Sequence, residues 1–491
     1  MSNFLIKPTS IKKSDILNKV FSLHPSEHKK IDIRNRNLKS ISKLVVAEGV
    51  GEQINVDEYL NFNSNYTLVT ISNMGKCIID ENQGERISPF IYKDSTKKLS
   101  KGDVLVSRNA SLGKITLVNK DFNGILNGGI SYLKFKEDKK YYAFAFFLLD
   151  YGADYLTVLT SGGGTQKNAK RQNLLDLKIP FPTSKNHKSP ELIEKYVSIL
   201  TQNIIDKEEQ IEIRQKNIDE LVYHELRNNQ KSNFSYSLPK KSDLLSHKRI
   251  DTGLYTEKYK EENHLIENYK NGFSSINTSK FKSGSTPKTR IFNASKSSLK
   301  WVTPTNISDE GFYNPIEKIS MPTSNNLKKD CILFINRTSK GKKGEYVGIT
   351  CFYDVSYYGE GQHNQGLYRI EHLSKDEMIF TTAFMNSRIM RKICGNISIG
   401  SKMKEMKSYD FATLKFPKFD KSLKQKIGKL YYHNIDKTNF DFDNYFENEK
   451  VRNQELGIFQ LNTEIIAIKK ELEIVLNKII TEETITLNAN A

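Results

Sequence analysis

From Ser189 to Leu226 apolar residues return every seven positions. Val197, Ile204, Ile211 and Ile218 set the repeat, and Leu200 and Leu221 fall on the complementary positions, where Lys207 and Arg214 interrupt the line. The stretch has no glycine and no proline after Pro190, so the pattern predicts one long helix with a coiled-coil seam broken by polar residues. Near the C-terminus Val451, Ile458, Ile465, Leu472 and Ile479 again repeat every seven, with Leu461, Ile468 and Val475 three residues beyond a stripe member. Each stripe fits either an amphipathic helix lying on its own domain or a seam between two helices. That each follows one copy of a repeated module favours mutual pairing.

Outside these helices the period changes. Short β-rich runs, YTLVTI, DVLVSRN, GKITLV and ISYLKF, alternate with turn signals and lead into a helical run, Lys139 to Leu156. The skeleton then recurs at an offset of 237: Asn127, Gly129, Phe147, Gly163, Leu177-Lys178 and Pro180 match Asn364, Gly366, Phe384, Gly400, Leu414-Lys415 and Pro417. KGDVLV at Lys101 resembles KKDCIL at Lys328 with a shorter offset, which predicts about ten extra residues in the later copy. The expected class is α+β, with two similar globular modules separated and followed by long helices that form an antiparallel coiled coil. The expected boundaries are 1–186 for the first module, 187–232 for the central helix and linker, 233–420 for the second module and 421–491 for the C-terminal helical region.

A stretch from Ser161, SGGGTQKNAKRQ, carries the glycines and lysine of a phosphate cradle. A P-loop needs Ser or Thr directly after its lysine to reach magnesium, and Lys167 is followed by Asn168. Nucleotide binding is therefore not the reading.

Charge sharpens the picture. With 75 Lys plus Arg against 57 Asp plus Glu, the net charge of +18 attracts polyanions, and 24 Tyr and 26 Phe exclude a disordered basic tail. The four cysteines form no CxxC pair, which argues against structural zinc or a disulfide framework. The opening MSNFLIKPTSIKKSD lacks a signal-peptide core and no run approaches eighteen apolar residues, so a cytoplasmic chain without membrane contact is expected.

These residues suggest a family. FKSGSTPKTRIFNASKSSLKWVTPTNIS, Phe281 to Ser308, resembles the Ser-Gly-x-Thr-Pro entry and Trp-Val strand of the DNA-specificity subunits of type I restriction-modification systems. Both loops before Leu-Lys-apolar-Pro fit that family, as do the two long helices. The first module has no Thr-Pro entry. The resemblance implies two target recognition domains, each reading half of a split double-stranded DNA target, and helices that dock two methyltransferase subunits. It also implies restriction/translocase subunits in the complex and N6-adenine methylation by the partners. S-adenosylmethionine, ATP and magnesium are then expected in those partners and no cofactor or metal in this chain. The chain has neither the Asn/Asp-Pro-Pro-aromatic loop that would hold a flipped adenine nor a glycine-rich methionine-cofactor site, so no catalytic residue is assigned.

On this reading the loop at Gly162 faces DNA. Thr165, Gln166, Lys167, Asn168, Lys170 and Arg171 supply charge and amides that pair with adenine edges, and Ser401, Lys402 and Lys404 are the second-copy counterparts. A solvated turn is the competing reading of the same residues. Arg108 and Asn109 of SRNASLGK roughly match Arg337 of NRTSKGKKGE, a charged hairpin-like turn, and Lys114 and Lys340 are further candidates in the same two runs. Thr286, Lys288, Arg290, His363 and Asn364 complete the DNA-facing candidates, and a lone histidine without a carboxylate or thiol partner makes no metal site. The competing functions are a self-contained nuclease or methyltransferase and a basic interaction scaffold.

Overall fold

The computed structural model describes residues 5–6, 8–18, 28–60, 64–160, 168–247, 249–250, 252–286, 290–291, 299–314, 319–320, 326–338, 346–400 and 403–487. They form two compact units, one of Met1–Gln210, Asp436–Gln454 and Thr463–Ala491, the other of Ile211–Ile435 and Glu455–Asn462.

In the first unit a four-stranded antiparallel sheet runs in the order Val45–Val50, Ile130–Phe135, Val104–Ser107, Ile115–Leu117. Val104–Ser107 is buried along its whole length, which its unbroken Val-Leu-Val run prescribes for an inner strand. A second sheet sets Thr67–Val69 parallel to Gly124–Leu126 and antiparallel to Glu85–Arg86. The second unit repeats the plan. Its four-stranded sheet has the order Lys282–Ser283, Leu367–Ile370, Cys331–Ile335, Thr350–Tyr353, and its other sheet again holds one parallel pair, Leu299–Val302 with Gly361–His363.

The helical run expected from Lys139 to Leu156 is two helices, and its counterpart in the second module is two as well. Lys140–Leu148 and Tyr151–Leu159 follow one another in the first module, Lys375–Met385 and Arg388–Ile397 in the second. The break at Asn386 has a cause: its side chain acts as a strand partner for Thr350, accepting from the amide at 3.0 Å and donating to the carbonyl at 2.7 Å. Ser374 starts the helix before it through a capping box with Glu377.

The central helix spans Pro190–Asn228, and Val197, Leu200, Ile204, Ile211 and Ile218 are buried on it. Within the first unit it meets the C-terminal helix, Ile458–Thr481, antiparallel: Asn186 just ahead of it binds the Lys478 carbonyl, Tyr196 binds Glu471 and Lys207 binds Glu464. Ile458, Leu461, Ile465, Ile468, Leu472, Val475 and Ile479 are all buried. Val451 departs from the expected seam. It belongs to a separate helix, Tyr445–Asn453, and is 66% exposed. The chain turns before Gly457, where a side chain would lie 2.4 Å from the His433 amide nitrogen, so the seven-residue spacing from Val451 to Ile458 does not follow one helix face. Burial on the Tyr445–Asn453 helix falls instead on Glu449, Arg452 and Asn453.

Those residues meet the polar interruption of the central stripe. Lys207 is fully buried, with its ammonium 3.1 Å from Glu449, 2.5 Å from Asn453 and 2.6 Å from Glu464. Arg452 donates to both Glu449 oxygens at 3.0 Å and also to Glu464, while Asn453 binds Asn203 and Asp206. Burial pushes the Glu449 carboxyl up, and the facing Lys207, the Thr438 hydroxyl and Arg452 overcome it, leaving the pKa below the ordinary glutamate value. All four cysteines are buried and unpaired. Burial pushes their thiols up, to about 12 at Cys351 and Cys394. Among the described residues no helix is long and apolar enough to cross a membrane, and no group of His, Cys, Asp and Glu could hold a metal ion.

Two predictions follow from the buried charges. Lys207→Met leaves the buried Glu449 and half-buried Glu464 carboxylates with Arg452 as their shared cation and should lower unfolding free energy in urea titration by about 3–5 kcal/mol; the double variant Lys207→Met/Glu449→Leu should recover part of that loss. In the second unit Asp219 accepts from the Arg388 amide at 2.7 Å, and burial pushes its carboxyl up to about 6 against the pull of that bond and of the Arg388 and Lys392 charges, with Glu220 adding to the rise. The folded state therefore holds more protons than the unfolded one between roughly pH 4 and 6, so this group's contribution to stability falls as pH rises through that window. Asp219→Asn keeps the acceptor and removes the charge, and its stability should decline less steeply from pH 4 to 6 than that of the parent chain.

Candidate nucleic-acid interface

In the first module the strand Val104–Ser107 delivers Arg108 to the junction of two loops. The Arg108 amide donates to the Gly129 carbonyl at 2.9 Å, and its carbonyl accepts from the Ala169 amide at 2.8 Å. The guanidinium spans the same loops: Nη2 donates to the Gly128 carbonyl at 2.7 Å and Nη1 to the Ala169 carbonyl at 3.2 Å. Its Nε is buried without a partner among the described residues, and desolvation lowers the pKa of the group. Asn127 closes the neighbouring turn by accepting from the Gly129 amide at 3.0 Å, the usual work of an Asx turn.

The second module repeats this wiring with other side chains. The Asn336 amide donates to the Gly366 carbonyl at 3.0 Å and its carbonyl accepts from the Met406 amide at 2.8 Å. Asn336 Nδ2 donates to the Gln365 carbonyl at 3.3 Å, and Asn364 accepts from the Gly366 amide at 2.7 Å. Arg337–Thr338 then pairs antiparallel with Lys404–Glu405. Arg108 therefore corresponds to Asn336 and Asn109 to Arg337, which corrects the looser match of Arg108 to Arg337. Strand pairing agrees: Ser107 faces Ile130 where Ile335 faces Leu367. Aligning KGDVLV with KKDCIL is thus one residue out of register, a slip that exchanges the two faces of a strand.

The entry absent from the first module as a Thr-Pro motif is present as geometry. A side chain on Gly51 would lie 2.2 and 2.3 Å from the carbonyl oxygens of Leu126 and Asn127, and one on Gly284 would lie 2.2 and 2.3 Å from those of Asn364 and His363. Downstream, Thr70-Ile71-Ser72-Asn73 and Thr303-Pro304-Thr305-Asn306 form the same cap, with the threonine amide donating to the asparagine side chain at 2.8 and 2.9 Å.

The candidates divide accordingly. Asn168, Lys170 and Lys114 are exposed; Lys170 precedes the helix Arg171–Asp176 just as Lys407 precedes Ser408–Ala412. Thr286 is exposed and accepts from Asn364 Nδ2 at 3.3 Å, which brings the entry loop and the Asn364–Gly366 turn together. Asn109, Arg337 and Lys404 are half-buried beside these turns. Arg171 is engaged elsewhere: its Nε lies 2.9 and 2.8 Å from the two Glu48 oxygens and its Nη2 binds the same carboxylate. That pairing holds the Glu48 carboxyl below the ordinary glutamate value, so Arg171 brings a neutralised pair to the surface. His363 is a correction. Its imidazole is fully buried, with Nε2 3.3 Å from the Lys282 carbonyl, and it offers no surface to a polyanion. Thr165, Gln166, Lys167, Lys288, Lys340, Ser401, Lys402 and the Arg290 side chain lie outside the described residues. Asn336, Gln365 and Met406 were missed, because the signal for them is main-chain wiring shared by dissimilar residues.

Residues 34–215 match the family described as the type I restriction modification DNA specificity domain. No curated protein matches. Among solved structures, the type I restriction-modification S subunit from M. genitalium is similar at 15% identity and a TM-score of 0.35, over 93% of this chain and 98% of that one. The HsdS subunit from Thermoanaerobacter tengcongensis is similar at 13% identity and a TM-score of 0.26, over 90% and 96%. A structure concerning complex assembly and conformational transition of the type I R-M system is similar at 12% identity and a TM-score of 0.28, over 91% and 98%.

Because a side chain at Gly51 or Gly284 meets main-chain oxygen on two sides, Gly51→Ala and Gly284→Ala should each lower stability by about 1–3 kcal/mol in denaturant titration. Gly75→Ala, where nothing lies within 4 Å, should change little and serves as the control.

Proposed function

We propose that this chain, which resembles the DNA-specificity subunits of type I restriction-modification systems and matches their specificity domain over residues 34–215, reads a two-part sequence in double-stranded DNA. One module reads each part. The observation that supports a split target is the repetition of one hydrogen-bond frame around Arg108 and around Asn336, with unlike side chains mounted on it. Two frames of one shape carrying different side chains suit two different half-sites.

On this reading the chain itself performs no chemistry. Two methyltransferase subunits dock on the paired helices and methylate adenine at N6, and restriction/translocase subunits complete the complex. S-adenosylmethionine, ATP and magnesium serve those partners. The working compartment is the cytoplasm, where such a complex meets its DNA. The net charge of +18 supports a polyanionic ligand.

Binding selection from a randomised duplex pool should yield two conserved blocks separated by an unread spacer, and a single block or none would refute the split target. Affinity for the selected duplex should fall with salt, with a log-log slope of about −0.9 for each phosphate neutralised. Incubated alone with that duplex, magnesium and S-adenosylmethionine, the chain should leave the DNA unmethylated and uncut; product formation would identify it as an enzyme in its own right.

A further inference from the structure

Equivalent positions of the two modules hold side chains that turn inward onto loop carbonyls. We propose that Arg108 and Asn336 are positioning residues for half-site reading, fixing the Asn-Gly turn against the segment that leads into the following short helix. This rests on the DNA-specificity reading above. Arg108 donates to the carbonyls of Gly128 and Ala169, and Asn336 donates to that of Gln365, the residue matching Gly128. In both modules the same residue's main chain also joins these two loops, to Gly129 and Ala169 in one and to Gly366 and Met406 in the other. The residues carried by the joined loops, Asn168 and Lys170 in the first and Gln365 and Lys407 in the second, are exposed. Arg108 thus contributes through the loops it joins, with Nη1 and Nη2 both donating to protein carbonyls.

The two modules depend on the strut unequally. In the second, Arg337–Thr338 also pairs with Lys404–Glu405, so the segment ahead of the short helix is held by further main-chain bonds, and the Asn336 side chain holds the turn through one bond. In the first, the guanidinium makes two bonds, one to each loop, beside the main-chain bonds of Arg108.

The test uses the full chain and a fluorescent duplex bearing the selected target, with each half-site scrambled in turn. Arg108→Ala should reduce discrimination at one half-site about tenfold or more while preserving it at the other. Its log-log salt slope should match that of the parent chain. Arg108→Lys, whose single ammonium reaches one carbonyl, should restore part of the loss. Asn336→Ala should affect the opposite half-site, and by a smaller factor. A slope shallower by about 0.9 with uniform loss on every sequence would make Arg108 a phosphate contact and overturn the proposal. Equal loss at both half-sites, or none, would also overturn it. Should Arg108→Ala fail to give a cooperative thermal transition, Arg108→Lys and Asn336→Ala decide by the same criteria. A parent chain without half-site preference would instead remove the DNA-specificity reading, and the strut with it.

Discussion

The buried ammonium of Lys207 fixes how three segments of the first unit meet. An isolated buried charge costs several kcal/mol, so the chain must bring carboxylates to it, and it draws them from two places: Glu449 on a short helix and Glu464 on the C-terminal helix. Three segments far apart in sequence are thereby fixed at one level. Sliding the C-terminal helix by a heptad would keep an apolar stripe against an apolar stripe, yet would set Lys207 against Glu471, the partner of Tyr196, and take Glu464 away from Arg452. Apolar burial brings the helices together; the charged layer selects one register and one direction. Cys77 adds a second tie within the unit, since its amide donates to Glu208, one residue along the same helix, at 2.6 Å.

The modules illustrate a different economy. Their shared features are almost all main-chain: the sheet order, the parallel strand pair, the two-loop junction, the threonine-asparagine cap and the glycine that slips past two carbonyls. Side chains follow only where a backbone bond needs them, as with Asn127 and Asn364. Arg108 and Asn336 differ in size, charge and number of donors, yet serve one junction.

That division explains what could be read in the sequence. Heptads and the 237-residue offset were legible because burial and tight turns impose residue types: apolar at the seam, Asn and Gly where the Asx turn needs an acceptor and room. The true register of Val104–Ser107 against Cys331–Ile335 was not, because both strands are buried along their whole length and no alternation of apolar and polar residues marks a face. Val451 fitted the heptad by spacing alone; the intervening turn depends on the His433 backbone, which no local pattern announces. Arg171 looked like a free cation because Glu48, its partner, lies 123 residues away. His363 looked exposed in a polar run, GEGQHNQG, that proves to be an inner strand of a sheet. Pairing across the chain decides each of these, and periodicity carries none of it.

The distribution of the cysteines turns the molecule into its own reporter. Cys77 belongs to the first unit and Cys331, Cys351 and Cys394 to the second, and all are shielded and held protonated at neutral pH. Thiolate is the reactive species, so alkylation of the native chain waits for an opening event. Peptide-resolved labelling then times the two units separately: modification at Cys77 dates the loosening of the first from the central helix, and modification at the other three dates the second. The same shielding keeps each chain from cross-linking to its neighbours for as long as it stays folded.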